Sequence, residues 1–331
     1  MTSALMSRTL DRTGCRTFLG RAFPWSGVLV LNYHRVGDSA GSAFDRGLWS
    51  ATADQFAEQV RFCKSHFDVI SPAELPDVLS RGRNRYVLLT FDDGYRDNYD
   101  VAFPILAAEG IPATFFVTTG FVDTPRVPWW DEIAWMVRAS GKSAARLDGW
   151  LPATVRFEEP DRELAVRTLL RAYKSMPGEM TSAYLDAIGE ATGSGRLDPA
   201  PSGDLWMTWN MLREMKARGM TIGGHTANHP VLAQASRETQ RREIGECGHR
   251  LATELGEPMR FFSYPVGGPE AFDEITRQCL REAGVQYAFS YYDGYRRYAD
   301  WDDYDIRRVR MEVDLTPDRF RSIVDLPQWF A

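Results

Sequence analysis

Cysteine is scarce in this sequence, and its few copies are not spaced like metal ligands or disulfide partners. The chain of 331 residues contains four cysteines, with no Cys-x-x-Cys pair and no regular spacing: Cys15, Cys63, Cys247 and Cys279. Zinc ribbons and disulfide-stapled folds need such pairs at defined spacings. We therefore predict four reduced thiols and a fold that depends on a hydrophobic core.

Long hydrophobic runs and an excess of positive charge are also missing. The first sustained apolar stretch, VLVLNY at residues 28–33, is too short for the apolar part of an export signal or for a membrane span. We therefore expect a cytoplasmic protein. The formal net charge is −6 and the isoelectric point is near 5.5, which argues against nucleic acid as the main partner.

The remaining composition, 44% hydrophobic and 25% charged residues, is typical of a globular protein. Short β-like runs alternate with helical patterns for most of the chain; YVLLTF at 86–91, for example, precedes NYDVAFPILAAEG at 98–110. Such alternation predicts βαβ units and a largely parallel sheet. About seven or eight such strands favour an α/β fold in which the sheet closes into a barrel.

The alternation is interrupted between residues 121 and 205, where PWWDEIAWMVRAS at 128–140 is followed by two more helical patterns and a Gly/Pro/Ser-rich exit. Because the alternation resumes afterwards, we predict a helical insertion within one barrel domain of residues 27–331. Residues 1–26 are predicted as an N-terminal helical segment. Its arginines allow a peripheral membrane contact through residues 1–24, but a short helix packed on the barrel is the favoured alternative.

Polar residues follow the ends of four predicted strands. Because the carboxyl ends of parallel strands meet on one face of a barrel, these residues are expected to converge at its mouth. They are His34, the pair Asp92 and Asp93, the pair His225 and His229, and Tyr264 with Pro265.

Each of these signals alone has a structural explanation. An Asp-Asp-Gly sequence also forms turns and helix N-caps, a histidine pair four residues apart also occurs on a solvent-facing turn, and a single histidine at a strand end is most often structural. Their convergence favours function. Two histidines and one carboxylate form a three-ligand site with open positions, which is typical of a catalytic metal.

Such a metal lowers the pKa of bound water from about 15.7 toward ~7 and polarises a carbonyl oxygen. The site therefore predicts hydrolysis, with one carboxylate binding the metal and its neighbour accepting a proton. Zinc is the first expectation for this ligand set, and Co²⁺ or Ni²⁺ are alternatives.

At these positions the sequence resembles the polysaccharide deacetylase family, also called the NodB-homology or carbohydrate esterase family four group. The matching motifs are TFDDG (90–94), HTANH (225–229) and, more loosely, FSYPVGG (262–268). The resemblance implies a distorted (β/α)7-type barrel and metal-dependent hydrolysis of an N-acyl group on an amino sugar. By the same resemblance, Asp92 is the general base, and Asp93, His225 and His229 are the metal ligands.

The resemblance also implies that a backbone N–H of the third motif, around Tyr264, binds the oxyanion of the tetrahedral intermediate. We place Pro265 beside the substrate. In this motif the family commonly has Arg-Pro-Pro, and the arginine pairs with the base; here Ser263, Tyr264 and Pro265 occupy those positions. We predict that Arg308 replaces the missing arginine, with Arg307 and Arg310 as alternatives.

The family's late histidine, which protonates the leaving amine, is also missing, because no histidine follows His249. The early YHRV segment (33–36) resembles the branch that includes poly-N-acetylglucosamine deacetylases, in which an early histidine is the acid. We therefore predict His34 as the general acid. At the start of the insertion, core packing is the favoured use of the tryptophans, but Trp129 or Trp130 can also form a wall against a sugar.

The function predicted from these residues is removal of an N-acetyl or related N-acyl group from an amino sugar in a polysaccharide, a lipid-linked glycan or a sugar precursor. Two alternatives stay open. The same site can cleave O-acetyl esters, since both reactions pass through a tetrahedral oxyanion, and a barrel with an altered third motif can bind glycan without catalysis. The sequence does not indicate an oligomeric state.

Overall fold

The structure is a computed structural model that describes residues 6–7, 9–10, 13, 15–197 and 205–331. Its strands, numbered along the chain, are β1 (Gly27–Tyr33), β2 (Arg35–Val36), β3 (Trp49–Ala51), β4 (Asp68–Val69), β5 (Arg85–Phe91), β6 (Thr114–Val117), β7 (Ala144–Ala145), β8 (Val155–Arg156), β9 (Thr221–Gly224), β10 (Phe261–Ser263), β11 (Tyr287–Phe289) and β12 (Val309–Arg310).

The α-helices are α1 (Cys15–Ala22), α2 (Ala53–His66), α3 (Leu75–Arg81), α4 (Phe103–Glu109), α5 (Trp129–Ala139), α6 (Arg162–Ser175), α7 (Thr181–Thr192), α8 (Trp209–Ala217), α9 (Arg237–Leu255), α10 (Glu274–Glu282), α11 (Pro317–Asp325) and α12 (Pro327–Phe330). A π-helical segment, Asn98–Ala102, leads into α4.

A curled parallel sheet forms the centre of the molecule. Its strands lie side by side in the order β11-β10-β9-β6-β5-β1-β12, and β4 also pairs with β5. An isolated parallel bridge joins Phe289, at the end of β11, to Ile306, so residues 306–310 run from the β11 edge to β1, with which β12 pairs. The predicted α/β fold with a distorted (β/α)7-type barrel is confirmed.

The alternation of side chains along β1 and β5 decides what reaches the barrel interior. The even-numbered Val28, Val30 and Leu88 belong to an apolar cluster with Phe116 and Phe289. The odd-numbered side chains of the same strands belong to a second cluster with residues of the surrounding helices. Parallel strands covered on both faces read as continuous apolar runs, which explains VLVL and YVLL.

The next even-numbered positions on these two strands are polar. Asn32 and Thr90 are in-register partners, both buried, and the Thr90 hydroxyl donates to Asn32 Oδ1 at 2.7 Å. One further step along each strand, the same alternation brings His34 and Asp92 to the mouth of the barrel. The period of two that builds the core thus also delivers the polar site residues.

The segment between β6 and β9 contains helices α5, α6 and α7. These helices share a hydrophobic cluster of their own, separate from the two clusters of the barrel. Indole rings at the start of α5 belong to this cluster, and they also reach the barrel mouth, as described below. We refer to residues 121–205 as the insertion.

Helix α1 lies against α11, and Arg16 forms an ion pair with Asp325. Its Leu19 side chain packs on the barrel's outer cluster, as expected for a helix packed on the barrel, while Phe18 is exposed. Part of the predicted 1–24 segment lies outside the described residues. Within the described part of the chain, no helix is both long and apolar enough to cross a membrane. All four cysteines are free.

Candidate active site

Asp92 and Asp93 follow β5 directly and are both buried. Asp93 has a φ of 76°, in the left-handed region, and Gly94 follows with a φ of 93°. This turn begins directly after β5, so the two carboxylates take different directions. The Thr-Phe-Asp-Asp-Gly sequence therefore places two adjacent carboxylates at the barrel mouth, where Asp92 faces Arg308 and Asp93 faces the two histidines.

Asp93, His225 and His229 bring three potential metal ligands together. Asp93 Oδ1 lies 3.4 Å from His225 Nε2 and 3.4 Å from His229 Nε2, and the ligand atoms all lie within 4.8 Å of one another. Tetrahedral coordination with bonds of about 2.0–2.1 Å separates neighbouring ligand atoms by roughly 3.3–3.4 Å. The three side chains therefore fit a zinc-type ion with an open position.

Hydrogen bonding sets one imidazole for this role. His225 Nδ1 lies 2.7 Å from the Ser263 carbonyl oxygen, so Nδ1 carries the proton and Nε2 presents its lone pair. Burial and the neighbouring His225 lower the pKa of His229 to about 3, which keeps this imidazole neutral, the form that binds metals. Although burial opposes it, the neighbouring histidines His225, His34 and His229 lower the pKa of Asp93.

Backbone strain is concentrated around these ligands. Six non-glycine residues of the described chain have positive φ, and four of them belong to the site: Asp93, Thr226, His229 and Val266. Each costs on the order of 1–3 kcal/mol and persists only where the surroundings fix it. The His229 N–H donates to Thr226 Oγ1 at 2.9 Å, which holds the turn between the two histidines.

Arg308 forms a bidentate ion pair with Asp92. Its Nη1 and Nη2 lie 2.8 Å from Asp92 Oδ1 and Oδ2, respectively, and the guanidinium is fully buried. Arg308 also donates to the Ser290 carbonyl and to Ser263 Oγ, each at 2.8 Å, and to Asn32 Oδ1 at 2.6 Å. Of the three arginines considered from sequence, the structure places Arg308 against Asp92.

The charge of Asp92 follows from this pairing. Burial alone would raise the pKa of its carboxyl group, but the Arg308 guanidinium reverses this and holds the pKa well below its usual range. Asp92 Oδ2 also accepts from Asn32 Nδ2 at 3.2 Å. Oδ2 thus accepts two hydrogen bonds and Oδ1 one, so Oδ1 keeps a lone pair available.

His34 is partly buried beside these carboxylates. Its backbone is fixed on both sides, because its N–H donates to Ser50 Oγ at 2.9 Å and its carbonyl accepts from Asn98 Nδ2 at 2.7 Å. The ring meets Tyr291 edge-on at 5.2 Å between centroids, and its nitrogens have no hydrogen bond to a described residue. Burial lowers its pKa, although the charges of Asp93 and Asp92 oppose this effect.

The prediction for Tyr264 is wrong. Its N–H donates to the Phe289 carbonyl at 3.1 Å, so β10 continues its sheet pairing through this residue and the N–H is not available to a substrate. The ring stacks on Phe272 at 4.0 Å between centroids, and the hydroxyl donates to the Tyr304 carbonyl at 2.8 Å. Tyr264 therefore has a structural role in the third motif.

The next available donor of this motif is Val266. Pro265 has no N–H, and the Gly267 N–H donates to the Pro265 carbonyl at 2.6 Å. The Val266 N–H donates to no described residue, and Val266 has a φ of 63° and lines the cavity at the barrel mouth. Pro265 is buried and does not line that cavity, and a contact between Pro265 and the substrate stays a prediction.

The cavity has a volume of about 580 Å³, and His34, Asp92, Asp93, His225 and His229 all line it. Trp129 and Trp130 from the insertion form one wall. The Trp130 ring packs on His229 at 4.3 Å between centroids, and Trp129 Nε1 donates to the His229 carbonyl at 3.3 Å. The two indoles thus support the turn between His225 and His229 as well as bounding the cavity.

Sequence reasoning missed Asp131, which connects three parts of this site. The Tyr95 hydroxyl donates to Asp131 Oδ2 at 2.8 Å, and the Asp45 N–H donates to Oδ1 at 2.9 Å. Tyr95 in turn accepts from Trp130 Nε1 at 2.7 Å. Burial raises the pKa of Asp131 to about 7. Its position in the sequence, directly after Trp129 and Trp130, was the only available signal.

Comparison with known proteins agrees with this geometry. The polysaccharide deacetylase family model matches residues 80–145 and 179–288. The Bacillus subtilis (strain 168) protein YxkH, which carries a polysaccharide deacetylase assignment, is 39% identical over 300 residues, covering 89% of this chain and 75% of that protein. Poly-beta-1,6-N-acetyl-D-glucosamine N-deacetylase of Escherichia coli (strain K12) is 30% identical over 118 residues, which cover 34% of this chain and only 17% of that enzyme.

Solved structures share the fold. A Streptococcus pyogenes deacetylase, PplD, in complex with acetate superposes with a TM-score of 0.58 at 21% identity, covering 93% of this chain and 99% of that chain. IcaB from Ammonifex degensii superposes with a TM-score of 0.56 at 20% identity, covering 92% of this chain and 97% of that chain. With the family model matching more than half of the residues and the motifs meeting at one cavity, the chain belongs to the polysaccharide deacetylase family.

Proposed function

We propose that this protein is a metal-dependent N-deacetylase that removes an acetyl or related acyl group from an amino sugar of a glycan. The observation that carries this proposal is the Asp93–His225–His229 ligand set, with donor atoms within 4.8 Å, next to a second carboxylate that an arginine keeps ionised. A divalent cation held by this set, zinc first, would polarise the acyl carbonyl and acidify the attacking water.

Asp92 is the general base in this proposal. Its pairing with Arg308 keeps it ionised and fixes its direction, and the lone pair left on Oδ1 accepts the proton of the water that attacks the acyl carbon. The same guanidinium lowers the basicity of Asp92, so proton transfer depends on close positioning of the water rather than on a high pKa. Asn32 and Ser263 hold Arg308 in the orientation that this requires.

His34 is the general acid. Collapse of the tetrahedral intermediate expels an amine, which must take up a proton as the C–N bond breaks. The imidazole of His34 lines the cavity beside Asp92 and has no hydrogen bond to a described residue, so a ring nitrogen is available to the leaving group. Its fixed backbone and the contact with Tyr291 limit the directions in which this ring can point.

The Val266 N–H is the proposed oxyanion donor. Its left-handed backbone turns the amide away from the sheet pairing that engages Tyr264. A preorganised N–H at the point where negative charge develops stabilises the transition state more than the ground state. Trp129 and Trp130 supply an aromatic wall for the sugar ring.

The relatives support the substrate class. A curated relative acts on poly-beta-1,6-N-acetyl-D-glucosamine, as its name states, so oligosaccharides of β-1,6-linked N-acetylglucosamine are the first substrates to test. The zinc-loaded protein should release acetate and leave a free amine, and Asp92→Asn should abolish both products. Release of acetate from O-acetylated but not from N-acetylated sugars would assign an esterase instead. Glycan binding without release of acetate from either substrate would contradict the proposal.

A further inference from the structure

The insertion places two unpaired cations on a wall of the active-site cavity. Arg167 and Lys174 lie seven residues apart on α6, hence on the same face of the helix two turns apart. Together with Leu170 between them, they line the cavity that contains the metal-ligand set. Both cationic side chains are exposed to solvent in the cavity, and neither forms an ion pair or hydrogen bond with a described residue.

The position of this helix face is fixed relative to the reacting atoms. Tyr173, the residue before Lys174, stacks on Trp129 with ring centroids 4.0 Å apart and planes within 9°. Trp129 is itself hydrogen-bonded to the His229 carbonyl, and the Lys174 ammonium lies 6.0 Å from the Trp129 ring. A ligand group bound by α6 is therefore held at a fixed position relative to the turn between His225 and His229.

The charges on the other walls differ. Strand β12 contributes Arg310, which pairs with Asp293 at 3.4 Å. The segment after β12 contributes the carboxylates Glu312 and Asp314. Asp45, beside α6, is buried, and its side chain accepts from the Gly47 N–H at 2.9 Å. The α6 wall thus presents two cations in a chain of net charge −6. Burial lowers the pKa of Lys174, although the carboxylates of Asp45, Asp93 and Glu270 oppose this effect and favour its charged form at longer range.

We propose that Arg167 and Lys174 form a subsite for a phosphate group attached to the amino-sugar substrate, an inference that rests on the deacetylase function proposed above. A phosphate carries up to about two negative charges at neutral pH, so one phosphate can neutralise both Arg167 and Lys174. A carboxylate carries a single negative charge and can neutralise only one of them. Arginine binds phosphate through paired N–H groups and lysine as a point charge. The acyl group of such a substrate lies at the metal-ligand set and its phosphate at α6.

The test compares N-acetylglucosamine 1-phosphate with methyl N-acetylglucosaminide, a neutral sugar of similar size. Isothermal titration of the chelator-treated protein reads binding without turnover. We expect at least about tenfold tighter binding of the phosphorylated sugar, loss of that preference in an Arg167→Gln/Lys174→Gln double variant, and weakening of it in 0.5 M salt. The Arg171→Gln variant is the matched control, because Arg171 is an exposed cation of the same helix that does not line the cavity.

Equal binding of the two sugars, or an equal effect of the Arg171 control, would overturn the subsite. Acetate release separates this outcome from failure of the deacetylase function: a protein that deacetylates neutral oligosaccharides but shows no phosphate preference lacks only the subsite. A protein that shows the preference but releases no acetate from any sugar has the subsite without the proposed activity. A short polyprenyl ester of the sugar phosphate in detergent, compared with the free sugar phosphate, distinguishes a lipid-linked from a soluble source.

Discussion

Arg308 and Asp92 form a fully buried, bidentate ion pair across the barrel mouth, with both N–O distances at 2.8 Å. The two residues reach each other from strands at opposite sides of β1. Ser263 occupies the position where the family commonly has an arginine. Its small side chain leaves room for the Arg308 guanidinium and accepts a hydrogen bond from it. Asp92, the proposed base, thus has a cationic partner, but this arginine lies directly before β12 and not in the third motif.

Replacing Arg308 by methionine should therefore remove most activity and much stability. Removing one partner of a buried pair leaves an uncompensated charge, which typically costs about 3–5 kcal/mol. The pKa of Asp92 would rise, because burial would no longer be opposed by the guanidinium. The acid limb of the rate–pH profile should accordingly move to higher pH, and urea unfolding should show the loss of stability.

Arg307→Met is the matched control, since Arg307 lies over the Tyr292 ring rather than against Asp92. A double variant, Ser263→Arg with Arg308→Ser, returns the arginine to the family's usual position. It should recover part of the activity lost in Arg308→Met. If Arg308→Met retained the parent rate and the parent pH profile, the ion pair would have no role in keeping Asp92 ionised.

The sequence predicts part of this pairing, and the geometry of the strand explains which part. Side chains at positions 306 and 308 lie on the interior side of the barrel, where Ile306 joins the inner cluster, while Arg307 faces away. Alternation therefore distinguishes Arg308 from Arg307. It does not distinguish Arg308 from Arg310, because both are even-numbered, and only depth in the barrel leaves Arg310 exposed.

In the third motif, the residue predicted from the sequence is not the one whose amide is free. Sequence reasoning placed the oxyanion donor at Tyr264, but the register of β10 against β11, with Ser263 opposite Phe289, uses the Tyr264 N–H for one more sheet hydrogen bond. The first free amide comes two residues later, at Val266. A motif fixes which segment approaches the substrate, whereas strand register decides which amide is free. The contributions of the insertion, such as Asp131 and Lys174, depend on long-range packing that no local pattern encodes.

Zinc should stabilise the protein through the three predicted ligands. A ligand that binds only the folded state at a hundredfold excess over its Kd adds about 2.7 kcal/mol to the free energy of unfolding. Added Zn²⁺ should raise the Tm of chelator-treated protein, and His229→Gln should abolish that rise. His249→Gln, a change at an exposed helical histidine, should leave it intact. An equal response of the parent and His229→Gln would place zinc binding elsewhere.

Changing His34 to alanine should leave metal content unchanged and reduce turnover sharply. His34 is not among the three metal ligands, and loss of a general acid typically costs 10²–10⁴-fold in rate. Metal analysis and acetate release measure the two properties separately. His66→Ala, at the exposed end of α2, is the control, and an unreduced turnover in His34→Ala would reject the acid role.

The Val266 amide can be tested by replacing it with an ester through semisynthesis, which removes the N–H and keeps the side chain. Loss of one oxyanion donor typically lowers kcat by about 10²–10³-fold, with little change in metal affinity. The same replacement at Tyr264 should instead reduce stability, because that N–H pairs with Phe289. A rate loss at Tyr264 without one at Val266 would reverse the assignment.

Asp131 should make stability depend on pH in a direction opposite to that of Asp92. Burial raises the pKa of Asp131 to about 7 in the folded protein, against about 3.9 in an unfolded chain. Below pH 4 the carboxyl is protonated in both states, and as pH rises toward 7 its ionisation favours unfolding, by up to a few kcal/mol. Asp131→Asn lacks this ionisation, so its free energy of unfolding minus that of the parent should increase between pH 4 and pH 7. Asp148→Asn, at an exposed aspartate, should show no such trend, and a flat difference for Asp131→Asn would mean that the carboxyl ionises normally despite its burial.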